Sequence, residues 1–285
     1  MKQENLIQQG YKKYKAPAKI NLFLKIIGKR DTGFHELQSV FQLIDLYDYI
    51  YIRVRKDSEI NFINESCEIN KQDDLGFRAA KLILKNINVG VDIYIKKNIP
   101  IGAGLGGGSS DAATILMAIN ALANISLSKR ELMALGLSLG ADIPFFIFGE
   151  NAWVEGIGEK LSQINIPDSI YYLCYPNFSI STDSIFKSFE LTKVPITLKI
   201  TSYFSDKLEQ ESNDLEYTIT KKYGKMSELV SWMNNYGLAK ISGTGSSVFV
   251  KIEDVNKIQH FNDKKPIDTK SFVVKGLSKH PFYDV

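Results

Sequence analysis

Between Pro100 and Asp111 the chain reads Pro100-Ile101-Gly102-Ala103-Gly104-Leu105-Gly106-Gly107-Gly108-Ser109-Ser110-Asp111, and five of these twelve residues are glycine. Backbone so poor in Cβ atoms can approach a ligand closely and offer its N–H groups. In the run that follows, Ala112, Leu116, Ile119 and Ala123 lie near helical spacing. That places Ser109 and Ser110 at or beside a helix N-terminus, where unpaired N–H groups and the positive end of the dipole favour an anion. The chemistry this stretch can do is phosphate binding. Gly102, Gly104 and Gly107 fit the dinucleotide pattern G-x-G-x-x-G, but a run this rich in glycine contains it by chance. The residues about 20 positions on, Asn120 to Ser128, are no strand ending in Asp or Glu. A Walker A loop needs Lys after its last glycine, and here Ser109 follows Gly108. What remains is a phosphate loop without a lysine, with a purely structural glycine turn as the alternative.

Other residues carry possible chemistry less openly. Lys19 and Asn21 share one side of the alternating stretch Lys19 to Ile27; taken alone, that side reads as the solvated face of an edge strand. His35 is one of three histidines and follows the aromatic Phe34, a pairing that by itself fits a structural histidine. Asp142 stands just past a helix end and before an apolar run, so it is either a turn residue or a functional acid.

Three motifs in order resolve these ambiguities. Pro17-Ala18-Lys19-Ile20-Asn21-Leu22, Gly104-Leu105-Gly106-Gly107-Gly108-Ser109-Ser110-Asp111 and Ser242-Gly243-Thr244-Gly245-Ser246-Ser247-Val248-Phe249 span nearly the whole chain. Together they resemble the signature of the GHMP small-molecule kinases. Gly33-Phe34-His35 and Gly140-Ala141-Asp142-Ile143-Pro144 are similar to the branch that acts on a cytidine diphosphate derivative of methylerythritol. The resemblance implies a soluble ATP-dependent kinase with Mg²⁺, with Asp142 as general base and Lys19 as its partner. It implies ATP contacts from Lys97 and from Pro100, Ile101, Gly102, Ala103, Gly104, Leu105, Gly106, Gly107, Gly108, Ser109 and Ser110. For the substrate it implies Asn21, Phe34, His35, Thr182, Phe186, Gly243, Thr244 and Gly245, with the aromatic rings around the cytosine and His35 on its polar edge. Phe34 stands where that branch commonly has Tyr, which keeps stacking and removes a phenol hydroxyl. No protein metal ligand is implied; Asp111 is either a candidate for that role or a helix cap.

These residues need elements to hold them. Alternation predicts strands over 19–27, 49–55 and 91–95, and later over 171–175, 247–252 and 271–274. Helical spacing predicts helices over 74–85, after the phosphate loop, from the capping box Ser128-Lys129-Arg130-Glu131 to Gly140, from about Ser181, and over 226–236. Pro144-Phe145-Phe146-Ile147-Phe148 reads as an apolar strand. A boundary in the glycine-bearing stretch 149–158 divides the chain into an ATP-binding part, 1–155, and a substrate-binding part, 156–285. The fold class is α+β, and by resemblance the two-domain GHMP kinase fold. Each domain is then an α/β sandwich with a mostly antiparallel sheet, and the active site lies in the cleft between them.

Composition excludes other classes. Of 285 residues, 44% are hydrophobic and 24% charged, and the net charge is +3; these are globular values without the basic excess of a nucleic-acid binder. Two cysteines, Cys67 and Cys174, make neither a metal cluster nor a disulfide framework. The first fifteen residues lack an apolar signal core, and no apolar run reaches the roughly 20 residues of a membrane helix. The expectation is a cytoplasmic monomer or weak dimer that binds neither nucleic acid nor membrane. The alternatives are a kinase of the same family with another alcohol acceptor, a nucleotide-binding protein that has lost catalysis, and, weakest, a dinucleotide oxidoreductase.

Overall fold

The computed structural model describes residues 3–65, 69–189, 198 and 211–284; Cys67 lies outside them. Its spine is a long antiparallel pair, β1 (Lys12–Lys29) and β2 (His35–Arg55). The strand expected over 49–55 is the end of a longer one that begins at His35, with a local slip in its register against β1. Pro17 faces Tyr47 while Ala18 faces Ile44. β2 then serves three partners in turn. Leu37 to Phe41 pair with β5 (Ala152–Gly156), Leu43 and Ile44 with β10 (Lys270–Leu277), and Tyr49 to Arg55 with β4 (Gly90–Lys96). β3 (Ile60–Asn64) lies parallel to β4, and the other pairs are antiparallel. β6 (Lys160–Gln163) folds back on β5, so the expected division at 155/156 falls inside a hairpin.

In the C-terminal part β7 (Ile170–Tyr175) sits between β10 and β9 (Val248–Ile252), with β8 (Lys240–Ile241) at the edge. One continuous path of strands, β3-β4-β2-β10-β7-β9-β8, therefore runs through both parts.

A second register slip corrects the simple alternation of β1. Asn21 faces Phe41 but Phe23 faces Val40, so Leu22 is bulged. Ile20 and Phe23 consequently enter the cluster that holds Trp153, Tyr171 and Phe249, while Leu24 and Ile26 enter the other large core instead of sharing one face with Ile20. A bulge reverses the facing of everything beyond it. Lys19 and Asn21 lie just before it, 4% and 2% exposed, so the solvated-edge reading is excluded.

The helices of the N-terminal part pack against that sheet and against each other. α1 (Gln3–Gln8) buries Leu6 against Tyr51 and Tyr94. α2 (Leu75–Ile83) is capped by Asp74, whose carboxylate accepts from the N–H groups of Gly76 and Phe77. α3 (Gly107–Leu122) follows the phosphate loop, and its Ser110 to Ile119 stretch is buried on every side. α4 (Lys129–Leu137) has the expected Ser128/Glu131 capping box.

Residues 143–148 are the clearest correction. They form a helix, α5 (Ile143–Phe148), and not a strand. A short unbroken apolar run fits either element, and here the ends decide. Pro144 occupies the first turn, where its missing N–H costs nothing, and Gly149 closes the helix in the left-handed conformation at φ 76°. Beyond these lie α6 (Thr182–Ser188), capped by Ser181, α7 (Glu216–Lys222), α8 (Gly224–Met233) and α9 (Ile258–Lys264). Cys174 is buried in β7, and burial pushes its thiol up to about 12, which makes it inert.

Candidate active site

The site forms where β1, the phosphate loop, the start of α5 and the 242–245 loop meet. Asp142 occupies the position before α5 and makes no capping bond, which leaves its carboxylate for other partners. It lies 3.4 Å from the Lys19 Nζ, the ammonium side chain being 5% exposed and the carboxylate side chain 34%. Lys19 Nζ also donates to Asn21 Oδ1 at 2.6 Å and sits over the Phe41 ring, 4.4 Å from its centroid. Asn21 Nδ2 donates to Ser39 Oγ at 3.1 Å, and Ser39 Oγ to the carbonyl of Phe23 at 2.5 Å. Asn21 thus uses both ends of its amide to fix the lysine. The Asp142 carboxylate keeps a solvent-facing side.

The phosphate loop is bound to this pair through backbone. Lys19 N–H donates to the Leu105 carbonyl at 2.9 Å, and Ser242 Oγ to the Gly104 carbonyl at 2.9 Å. Gly104 has to be glycine: a Cβ there would stand 2.1 Å from the Ser242 carbonyl oxygen, and its φ is +75°. The helix starts two residues earlier than the serines, with Gly106 in the cap position, so the first free N–H groups belong to Gly107, Gly108 and Ser109. Ser110 Oγ is buried and has no hydrogen-bond partner among the described residues. An orphan hydroxyl beside unpaired amides fits an anion such as a phosphate, and suits a metal-bound oxygen equally well.

Lys97 is buried beneath the first turn of α3. Its ammonium contacts Asp48 and lies 2.6 Å from Asp111 Oδ2. Asp48 Oδ1 also accepts from the N–H groups of Asn98 and Ile99, at 2.6 and 2.9 Å, which pins the entry to the loop. Asp111 is no helix cap, since Gly106 holds that place. Burial pushes the Asp111 carboxyl well above the usual range against the pull of Lys97, and Asp48 pushes the same way as burial. Among the described residues no group of three or more His, Cys, Asp and Glu side chains is arranged to hold a metal.

Two of the residues expected at the base, His35 and Phe186, meet. His35, opening β2, stacks on Phe186 with centroids 5.3 Å apart, and Phe189 meets it edge-on at 6.1 Å. Burial, with Lys29 adding to it, lowers the His35 pKa, so the ring is neutral near pH 7. Phe34 beside it is 61% exposed, a bare aromatic face. Thr182 and Thr244 share a hydrogen bond at 3.0 Å, which joins the start of α6 to the Gly243-Thr244-Gly245 loop. A Cβ at Gly243 would be 3.2 Å from Asn21 Oδ1 and 3.8 Å from Lys19 Nζ. That loop therefore reaches the Lys19 end of the site.

Several participants carried no sequence signal. Asn213, 4% exposed, donates to the carbonyls of Ile241 and Gly243 at 3.0 and 2.6 Å and thereby shapes the 242–245 loop from below. Ser39, Phe41 and Asp48 lie inside an apolar strand, where nothing local distinguishes them. Ser242 stands within a motif, but its bridge from Gly104 to Asn21 is visible only in three dimensions.

Residues 74–150 match the GHMP kinases N terminal domain. Over 279 residues, 95% of this chain and 94% of the relative, the sequence is 41% identical to a 4-diphosphocytidyl-2-C-methyl-D-erythritol kinase of Polynucleobacter necessarius subsp. necessarius (strain STIR1). It is 42% identical to that of Janthinobacterium sp. (strain Marseille), with 93% and 94% covered. The structure resembles the crystal structure of a 4-(cytidine 5'-diphospho)-2C-methyl-D-erythritol kinase with a TM-score of 0.81 at 28% identity, covering 93% of this chain and 99% of that one. The mevalonate kinase of Methanococcus jannaschii, 17% identical with a TM-score of 0.65, shares the fold.

Proposed function

The chain belongs to the GHMP kinase family, on its 4-diphosphocytidyl-2-C-methyl-D-erythritol kinase branch, and from that premise we propose how its own residues carry out the transfer. The enzyme moves the γ-phosphoryl group of ATP to the 2-hydroxyl of 4-diphosphocytidyl-2-C-methyl-D-erythritol, a step toward isoprenoid precursors. Asp142 takes the hydroxyl proton as the oxygen bonds to phosphorus and the bond to the ADP oxygen breaks. Lys19, held by Asn21 and the Phe41 ring, faces the same space and stabilises charge developing on the transferred oxygens. The observation that carries this reading is the Lys19–Asp142 contact of 3.4 Å, tied to the phosphate loop through the Lys19 N–H.

The N–H groups of the first turn of α3, with the hydroxyls of Ser109 and Ser110, hold the nucleotide phosphates. Mg²⁺ bound with ATP would supply charge neutralisation at the phosphates, beside the hydroxyls of Ser109 and Ser110. Phe34, Phe186 and the neutral His35 receive the cytosine. Thr182, Asn21 and the Gly243-Thr244-Gly245 loop receive the rest of the substrate. Lys97 acts from beneath the loop, as the counter-charge of Asp48 and Asp111, and supports the ATP site rather than gripping phosphate. The parts before and after the β5–β6 hairpin serve as nucleotide and substrate domains. We place the protein in the cytoplasm as a monomer or weak dimer; no described helix is long and apolar enough to cross a membrane.

Asp142→Asn keeps the shape of the side chain and removes the base. Turnover should fall by about 10²- to 10⁴-fold while ATP binding persists. A folded variant with near-normal turnover would exclude Asp142 as the base.

A further inference from the structure

The last residues of the described chain sit behind the active site, and the mechanism above gives them no task. β10 runs in the C-terminal part beside β7, touches β2 at Gly276 and Leu277, and then releases the chain onto the back of the N-terminal helices. There Lys279 pairs with Glu150 in an isolated bridge, and residues 281–284 form a single 3₁₀ turn. Three helices meet this segment, α3, α4 and α5, and the first turns of α3 and α5 lie at the site.

α5 has only six residues, too few for a helix to be stable by itself. Its last carbonyls need partners in a buried setting. Gly149 N–H takes the Phe145 carbonyl at 3.0 Å, and the Tyr283 hydroxyl donates to the Ile147 carbonyl at 2.5 Å. His280 N–H donates to the Gly149 carbonyl at 2.8 Å. The Tyr283 ring lies so close over Gly149 that a Cβ there would be 2.4 Å from it. From the same tail, the Tyr283 hydroxyl is 3.2 Å from Met117 Sδ, and His280 Nε2 is 3.5 Å from Thr114 Oγ1; both contacts are on α3. Lys129 of α4 rests between the rings of Phe148 and Tyr283, at 5.1 and 5.0 Å, and Phe282 stacks on Tyr14 of β1 at 5.6 Å.

The near end of α5 feeds the reacting groups directly. Asp142 precedes it, Phe145 packs edge-on against Phe41 at 5.2 Å, which carries Lys19, and Phe146 underlies Gly106 of the phosphate loop. We propose that the segment Lys279–Asp284 is a latch that completes α5 and fixes it against α3, with Tyr283 as the positioning residue that sets Asp142 against Lys19 and the phosphate loop. Because the tail arrives from the C-terminal part, placement of the base is tied to the seating of that part. This rests on Asp142 being the base.

The test compares Tyr283→Phe, which deletes only the hydroxyl that reaches Ile147 and Met117, with Tyr172→Phe, which deletes a hydroxyl bonded to Asn262 of α9 at 2.8 Å. Both variants keep their rings and should fold. Tyr283→Phe should lower kcat about fivefold with KM for ATP and for the alcohol each within about twofold, because small misplacements act on the transfer and not on binding. Tyr283→Ala should lower kcat further, and Tyr172→Phe should leave kcat unchanged at a similar loss of Tm. A wild-type kcat for folded Tyr283→Phe, or an equal fall for Tyr172→Phe, would overturn the latch. Asp142→Asn run in parallel separates the two ideas: undiminished turnover there would remove the base assignment and the latch's target with it, whatever Tyr283→Phe does.

Discussion

Lys19 is a charge with almost no water around it, and its position follows from what replaces that water: the Asn21 amide oxygen, the Phe41 ring and the Asp142 carboxylate. The division of labour between this pair and the aromatic cluster leads to a prediction at the level of single side chains. His35 is neutral and stacked, so it can donate from one ring nitrogen and accept at the other. His35→Ala should raise the KM for the cytidylylated alcohol about tenfold or more, the loss of one to two buried hydrogen bonds, and leave the KM for ATP unchanged. Steady-state kinetics with each substrate varied in turn checks this, and an equal change in both constants would contradict it. That Lys19 meets Asp142 and His35 meets Phe186 was legible because motif types and order pointed to those residues. Asn213 was not, since its amide serves carbonyls 28 and 30 residues away and leaves no local pattern.

At the level of elements the phosphate loop is braced from both ends. Asp48 on β2 pins residues 98 and 99, Asp111 marks the second turn of α3, and Lys97 joins the two carboxylates. Lys97→Met would leave the buried Asp48 carboxylate without its counter-charge, beside an Asp111 carboxyl that burial already pushes toward its neutral form, and should cost about 3–5 kcal/mol of stability in denaturant unfolding. A loss below about 1 kcal/mol, the value of a surface pair, would contradict the buried triad. The resemblance implies Lys97 as an ATP contact, a description without this brace, because Asp48 lies inside a strand 49 residues earlier. The Ser128/Glu131 capping box was readable since its signal is local. The run 144–148 was misread because five apolar residues have no period, and the bulge at Leu22 was invisible because alternation continues through it in the sequence.

For the whole molecule, the closing contact of the C-terminal segment has a consequence for pH. His280 is fully buried, Nδ1 accepts from Phe282 N–H at 3.1 Å, and burial lowers its pKa to about 3. Its ordinary value is near 6.5, so below that pH the unfolded chain binds a proton that the folded chain refuses. Stability is then undiminished above about pH 6.5 and falls by about 1.4 kcal/mol per unit as pH drops toward 3. Unfolding at pH 7 and pH 5 should differ by about 2 kcal/mol from this group, and His280→Gln should remove that share. An unchanged slope would place the proton elsewhere. The α+β class was legible from the order of alternating and helical segments, and the mostly antiparallel pairing from the family resemblance that the motifs carry. The continuity of the strand path through β2 and β10 was not, since it depends on two residues of pairing between segments more than 200 positions apart. The account as a whole stands on one reaction. Incubation with ATP, Mg²⁺ and 4-diphosphocytidyl-2-C-methyl-D-erythritol, followed by phosphorus NMR, should give a new phosphomonoester, and the same alcohol without its cytidine diphosphate should give none. Equal phosphorylation of both alcohols would contradict the base-reading cluster, and no product from either, with ATP bound, would contradict the kinase itself.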